Sequence, residues 1–380
     1  VAEFGCLYSE VLLTRNAWEK RKLGEVATIT MGQSPDSKNY TLNPQDHILV
    51  QGNADIKNGW VEPRVWTTQI TKIAKKGSVL LSVRAPVGEV SKTAFDVVLG
   101  RGVASVGQTD FLYQYLITLK INGFWLRYST GSTFDSINSA DIKDAIIFLP
   151  KKNEQDRIAK TLNCIDSLIA ATQHKIDALE QTKKALLQRL FDQSWRFKGY
   201  SDPWEKRKLG ELAEFINGRA YKQDELLASG KYPVLRVGNF YTNDNWYYSD
   251  LELPEKYYAE KGDLLYTWSA TFGPHIWIGP KVIYHYHIWK VALKNLFEKD
   301  FALQFFEADR VRLLNSTNGS TMIHVTKKDM ESKGILLPDI SEQRNIGEFL
   351  RKADDLIAAT QSRLSSLELL KKALLQALFI

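Results

Sequence analysis

The sequence predicts an α+β protein in which two strand-rich globular domains are joined by two long helices that form an antiparallel coiled coil, the whole built as a pseudo-twofold internal repeat. Three observations carry that prediction: the chain is duplicated end to end, each half closes on a heptad-patterned stretch, and each half holds short β-type runs broken by Gly, Asn and Asp. The chain has 380 residues, 44% of them hydrophobic and 25% charged. That is enough for two or three domains, each with a core, and it excludes a disordered polymer.

The duplication comes first because it sets the domain count. The octad Trp18-Glu19-Lys20-Arg21-Lys22-Leu23-Gly24-Glu25 returns unchanged at 204–211, an offset of 186 residues. Gly131-Ser132-Thr133 returns as Gly319-Ser320-Thr321, Leu149-Pro150 as Leu337-Pro338, and Glu154-Gln155 as Glu342-Gln343, now at an offset of 188. Two copies of this length mean a duplicated module, since a solenoid stacks three or more short units. The stretches 33–128 and 219–316 agree only in places such as Gly52-Asn53 with Gly238-Asn239. Each half is therefore a constant frame around a variable insert.

In chain order, 1–17 is an N-terminal extension that does not match the repeat, 18–150 is the first globular domain and 151–193 the first long helix. A connector follows at 194–203, marked by Gly199 and Pro203; 204–338 is the second globular domain and 339–380 the second long helix. Pro150 and Pro338 stand just before the helices, no Pro or Gly interrupts 153–191, and Gly347 alone interrupts the second. Ile158, Ile165, Thr172, Leu179 and Leu186 fall seven apart, with Leu162, Ile169, Ile176 and Leu190 four further on. The second copy gives Ile346, Ala353, Thr360, Leu367 and Leu374 with Leu350, Ile357, Leu364 and Leu378. This is a heptad seam. A helix packed only on its own domain would carry a similar stripe, but would not need to span about 50–60 Å at 1.5 Å per residue. Helix one leads into the second domain and helix two closes the chain, so pairing them makes them antiparallel, with one domain near each end of a dumbbell.

Ser78-Val79-Leu80-Leu81-Ser82-Val83, Asp263-Leu264-Leu265-Tyr266-Thr267-Trp268, Val97-Val98-Leu99 and Val282-Ile283-Tyr284 read as strands. The aromatics Tyr221, Tyr241, Trp246, Tyr247, Tyr248, Tyr266, Trp268 and Trp277 are expected mostly in the core or on strand faces. Tyr284-His285-Tyr286-His287 alternates like a strand, and no metal site is expected there. Lys plus Arg exceed Asp plus Glu by 50 to 44, a net charge of +6 compatible with a nucleic-acid partner. Two cysteines, Cys6 and Cys164, fit a reducing cytoplasm, and no apolar run reaches the roughly 18–20 residues that span a bilayer. A soluble cytoplasmic protein with no membrane partner is expected.

The order Trp-Glu-x-Arg-Lys-Leu-Gly-Glu, variable insert, Gly-Ser-Thr, Leu-Pro, Glu-Gln-x-x-Ile and long helix, all given twice over about 18–380, resembles the specificity subunit of Type I restriction-modification systems. The connector Arg196-Phe197-Lys198-Gly199-Tyr200 resembles the segment that opens a half in that family, and its counterpart before Trp18 is missing. The resemblance implies that each insert is a target recognition domain reading one half of an asymmetric bipartite site in double-stranded DNA, with the paired helices as a ruler for the spacer. It also implies a non-catalytic chain that binds two methyltransferase subunits, to which restriction subunits are an optional addition. The cofactors, S-adenosylmethionine, ATP and Mg2+, would belong to the complex and none to this chain. No Gly-x-x-x-x-Gly-Lys-Ser/Thr loop and no Asn/Asp-Pro-Pro-Tyr/Phe motif occurs here. Two other readings stay open: the detached specificity module of a combined nuclease-methyltransferase, and a non-catalytic coiled-coil scaffold.

Base reading needs Arg, Lys, Asn or Gln at a groove edge, and phosphate anchoring needs Arg, Lys, Ser, Thr or loop N–H groups. In the first insert the candidates are Gln33, Ser34, Lys38, Arg84, Arg101, Ser132 and Thr133. In the second they are Arg219, Tyr221, Lys222, Arg236, Asn239, Trp268, Ser269, Thr271, Ser320 and Thr321. The repeated Gly-Ser-Thr suits a phosphate contact shared by both domains, whereas Lys20, Arg21, Lys22 and their copies belong to the frame and are expected to cap the domain or face the methyltransferase.

Overall fold

A computed structural model describes residues 18–128, 136–241, 243–269, 271–316 and 325–379. The chain divides into two compact units, one comprising the residues up to Thr172 together with Arg363–Ile380, the other Gln173–Ser362. Each unit thus takes one globular domain and part of each long helix.

The repeated segments are the ones that close each domain. In the first unit the strand Glu19–Lys22 pairs antiparallel with Ile146–Leu149, and in the second Glu205–Lys208 pairs with Gly334–Leu337 in the same register. Trp18 Nε1 donates to Glu154 Oε1 at 3.0 Å, and Trp204 Nε1 to Glu342 Oε2 at 3.1 Å. The octad and the Leu-Pro and Glu-Gln segments therefore meet in space across the insert. Their contacts are with each other, which is why they repeat while the chain between them varies.

The inserts share a topology. In the first, one sheet orders the strands Ile29–Met31, Val103–Val106, Val79–Ser82 and Val90–Lys92 and continues into two short strands. The other is centred on the parallel pair His47–Val50 and Val97–Leu99, flanked by Trp66–Thr67 and Ile73–Ala74. The second domain repeats this with Ala213–Asn217, Ile288–Leu293, Leu264–Thr267 and Gly273–Ile276 in one sheet, and Tyr247–Ser249, Tyr232–Leu235, Val282–Tyr284 and Tyr258–Ala259 in the other. All four strand runs expected from the sequence are present. Tyr284-His285-Tyr286-His287 is not one strand: Val282–Tyr284 ends there, and a tight turn carries the chain into the other sheet at Ile288. The alternation of His with Tyr comes from a crossing between sheets, where no pleat is maintained.

A helix packs on each first-named sheet: Asp110–Ile121, N-capped by Thr109 Oγ1 on Leu112 N (3.2 Å), and Lys299–Ser316, whose first turn is tied by Glu298 on Phe301 N (2.9 Å). Phe301, Phe305 and Phe306 from the latter fill the second core with Phe215, Tyr266 and Trp289. Of the aromatics expected in core or strand faces, Tyr266 alone is fully enclosed; the others are half-buried, except Tyr241, which is exposed.

The long helices are Lys152–Phe191 and Ile340–Phe379. Gly347 admits the start of the Lys299–Ser316 helix, since a Cβ there would stand 2.7 Å from Phe301 N. Within the first unit Ile158, Leu162 and Leu375 share one core; within the second Leu187, Leu190, Ile346 and Leu350 share another. In each unit the start of one helix lies beside the end of the other, so they run antiparallel. Of the seam residues, Ile158, Leu162, Ile165, Ile176, Leu190, Ile346, Leu350 and Leu367 are buried, while Ile169, Leu179, Ile357, Leu364 and Leu378 are half-buried. Near the helix ends the buried leucines are Leu187 and Leu375, and Leu186 and Leu374 turn partly outward. A straight helix drifts about 20° per heptad, and there it faces a globular core as well as its partner.

Candidate nucleic-acid interface

In the first domain three backbone segments cross where the chain changes sheets. Gly100-Arg101-Gly102 links Val97–Leu99 to Val103–Val106, while Gly32 N donates to Val103 O (2.9 Å) and Gln33 N to Leu99 O (2.8 Å). A Cβ on Gly32 would stand 2.0 Å from Gly100 O, and one on Gly102 2.1 Å from Gln51 O, so the crossing requires glycine. It opens a cleft of about 340 Å³ whose walls include Ser34, Tyr40, Gln51, Asn53, Arg84 and Arg101. Arg101 N donates to Ser34 Oγ (3.1 Å), and Arg84 bridges antiparallel to Ser136. Asp55, 3% exposed, holds the 51–53 loop by accepting from Gln51 N (2.7 Å) and Gly52 N (3.3 Å). Its charge is met by the Arg64 guanidinium at 2.9 Å.

The structure thus gathers Ser34, Arg84 and Arg101, which stand up to 67 residues apart in sequence. Gln33 lies just outside, its carbonyl accepting from Thr71 Oγ1 (2.5 Å). Lys38 is exposed on the turn Ser37–Asn39 with Asp36 Oδ2 at 3.3 Å. Sequence reasoning passed over Gln51 and Asn53; the Gly52-Asn53 match between the halves was their only signal.

The second domain builds the same crossing from other residues. Gly218 N donates to Ile288 O (3.0 Å), Arg219 N to Tyr284 O (3.1 Å), and Trp268 N to His287 O (3.1 Å), as Val83 N does to Gly102 O (2.9 Å) in the first. A Cβ on Gly218 would lie 2.4 Å from two carbonyl oxygens. His285-Tyr286-His287 stands in the place of Gly100-Arg101-Gly102, and Ser269 in that of Arg84. Here Arg219 and Arg236 are engaged. Arg219 forms a two-pronged pair with Glu225 (2.9 and 2.7 Å), which holds that carboxyl below its ordinary range. Arg236 lies over the Tyr247 ring at 4.3 Å and donates to Asn245 O at 3.1 Å. Asn239 staples the same loop, accepting from Arg236 N (3.0 Å) and donating to Asn243 O (2.9 Å) and Asn245 O (3.1 Å).

Trp268 stacks on Trp289, with 5.8 Å between ring centroids, and donates from Nε1 to Tyr286 O at 3.0 Å; Ser269 is half-buried beside it and Thr271 exposed. Tyr221 is half-buried, with its phenol pKa raised by burial, and Lys222 is exposed. Tyr241 Oη lies 3.0 Å from His275 Nε2. Burial lowers His275 to about 4, and burial with the His287 and Arg236 charges lowers His285 to about 4, so both rings are neutral at pH 7. Tyr286, 38% exposed at the tip of the turn, was not singled out from sequence. Ser132, Thr133, Ser320 and Thr321 lie outside the described residues. Among the described residues no three His, Cys, Asp or Glu side chains lie together as a metal site requires, and no helix is long and apolar enough to cross a membrane.

The same polar clamp ties each domain to the helices. Gln114 Nε2 donates to Asp166 (2.8 Å), which pairs with Lys371 (2.6 Å); Gln304 Nε2 donates to Asp354 (2.8 Å), which pairs with Lys183 (2.5 Å). Asp166 and Lys183 become Asp354 and Lys371 at the 188-residue offset, so one ion pair is made twice with the helices exchanging roles. The strands Glu19–Lys22 and Glu205–Lys208 are exposed throughout, and Lys22 reaches Asp144 at 2.8 Å.

The family described as Type I restriction modification DNA specificity domain matches residues 16–181 and again 201–369. The putative type I restriction enzyme MjaX specificity subunit of Methanocaldococcus jannaschii is 32% identical over 189 residues, covering 48% of this chain and 44% of that protein. The MjaIX specificity subunit of the same organism is 23% identical across 95% of this chain and 92% of its own length. Among solved structures, the Type I restriction-modification S subunit from M. genitalium aligns with a TM-score of 0.67 at 18% identity, over 97% of this chain and 98% of that one. A chain from a structure concerned with complex assembly and conformational transition of the type I system aligns at 0.60, also at 18% identity, over 97% and 98%.

Proposed function

Since the chain belongs to the family of Type I restriction modification DNA specificity domains, which it carries twice, we propose that it is the non-catalytic DNA-reading subunit of such a system. Each globular domain reads one half of an asymmetric bipartite site in duplex DNA, and the paired helices set the unread spacer. One observation supports this above the rest: both domains build the same backbone crossing but set different side chains on it, as two readers of unlike half-sites require. Readers on a rigid frame meet the same face of B-DNA when their half-sites lie about one turn, or roughly 34 Å, apart.

Two methyltransferase subunits dock on the constant frame and bring S-adenosylmethionine for adenine methylation. Restriction subunits that use ATP and Mg2+ join the same assembly. The name of the full-length relative, a specificity subunit matched across 92% of its length, weighs against the detached module of a fused nuclease-methyltransferase. Membership of a DNA-specificity family weighs against a bare scaffold. The test is to coexpress the chain with a methyltransferase subunit of its system and map modified adenines in the host genome. A single split motif with a fixed gap is the expected result; a stable complex that leaves the genome unmodified would overturn the proposal.

A further inference from the structure

The charged groups of the two crossings are disposed in opposite ways. In the second domain Arg219 is held by Glu225, Arg236 by Tyr247 and Asn245, and Arg310 by Glu307 at 2.5 Å. In the first, Arg64 is spent on Asp55, but Arg84 and Arg101 are exposed in the cleft walls with no carboxylate partner among the described residues. Between them the exposed Gln51 offers a carboxamide, an acceptor and donor together.

The lining is not that of a phosphate site. The Asn53 amide is oriented by its Nδ2 donating to Pro86 O (3.4 Å), and its Oδ1 is buried without a donor. The Asp55 carboxylate lies directly behind the same loop. With the Gln51 carboxamide beside two guanidinium groups the cleft offers an acceptor as well as donors, and a base-pair edge presents acceptors and donors side by side. In the major groove guanine offers O6 and N7 to a guanidinium fork, and its cytosine offers an N4 amino group to a carboxamide oxygen.

We propose that the first domain reads a G·C base pair, with Arg84 and Arg101 donating to the guanine edge and the Gln51 carboxamide oxygen accepting from the cytosine N4 amino group, and that the second half-site is read without a free arginine. At the crossing, Ser269 and Tyr286 take the places of Arg84 and Arg101. This rests on the DNA-reading function proposed above.

The experiment uses the assembled complex of this chain with its methyltransferase subunits and a duplex carrying the mapped bipartite motif. Each guanine is replaced in turn by 7-deazaguanine, which lacks the N7 acceptor. The expected result is a G·C pair in one half-site whose replacement weakens binding by roughly tenfold or more, the scale of a good bidentate contact. Arg84→Ala or Arg101→Ala should abolish that sensitivity and relax the methylated motif at the same pair, leaving the other half-site intact. Insensitivity of the wild-type complex to every deaza substitution would overturn the assignment without touching the DNA-reading function, and needs no variant that folds. So would arginine variants that bind all sequences more weakly with a shallower salt dependence, the signature of a phosphate contact. A wild-type complex that gives no motif at all would remove both proposals.

Discussion

Glu342→Ala should destabilise the protein far more than Glu154→Ala, although the two residues are copies of one another. The Glu342 carboxylate is 1% exposed and accepts from Arg196 Nε (2.9 Å), Arg196 Nη2 (2.6 Å) and Trp204 Nε1 (3.1 Å). The Arg196 side chain is itself only 17% exposed. Removing the carboxylate leaves a largely buried guanidinium with Asp202 O (2.8 Å) as its remaining partner, a cost of about 3 kcal/mol at the low end of the range for breaking a buried pair. Glu154 is partly open to water and accepts from Trp18 Nε1, and losing that charge-assisted bond costs about 1–2 kcal/mol. Urea unfolding of each variant, with hydrogen exchange read at the starts of the two long helices, measures the difference. Arg196→Ala strands the opposite charge, so its effect should not add to that of Glu342→Ala in the double variant. Equal costs for the two glutamates would refute the account of the buried clamp.

Gly32→Ala should cost about 3 kcal/mol or more, above the usual overpacking penalty, because its Cβ would meet a backbone carbonyl at 2.0 Å; the unfolding midpoint checks it. Lys183→Ala and Asp354→Ala should couple by about 1 kcal/mol in a double-mutant cycle, since they share one clamp with Gln304; additive effects would mean that the pair contributes nothing. His275 and His285 lie near 4 in the fold against 6.5 in the unfolded chain. Both states are neutral above about pH 7.5, and as pH falls the unfolded chain takes up protons first. Stability of the second unit should therefore decline between pH 6.5 and 4, and His275→Asn should flatten the decline in thermal unfolding.

The duplication, the two long helices, their antiparallel sense and the strand runs were all legible along the chain. These are signals that adjacent residues or self-comparison carry: an unchanged octad, a seven-residue period, an alternating apolar run. Tertiary structure decided which side chains share a cleft. Ser34, Gln51, Arg84 and Arg101 come together because glycine at 32 and 102 lets backbones cross at distances no Cβ tolerates. It also decided which cations are free, since Arg219 and Arg101 look alike along the chain until Glu225 is found beside one of them. Even on the helices the period alone pointed to Leu186 and Leu374, whereas the cores took Leu187 and Leu375. Pattern fixes a face to within one residue, and the shape of what packs against it fixes the rest.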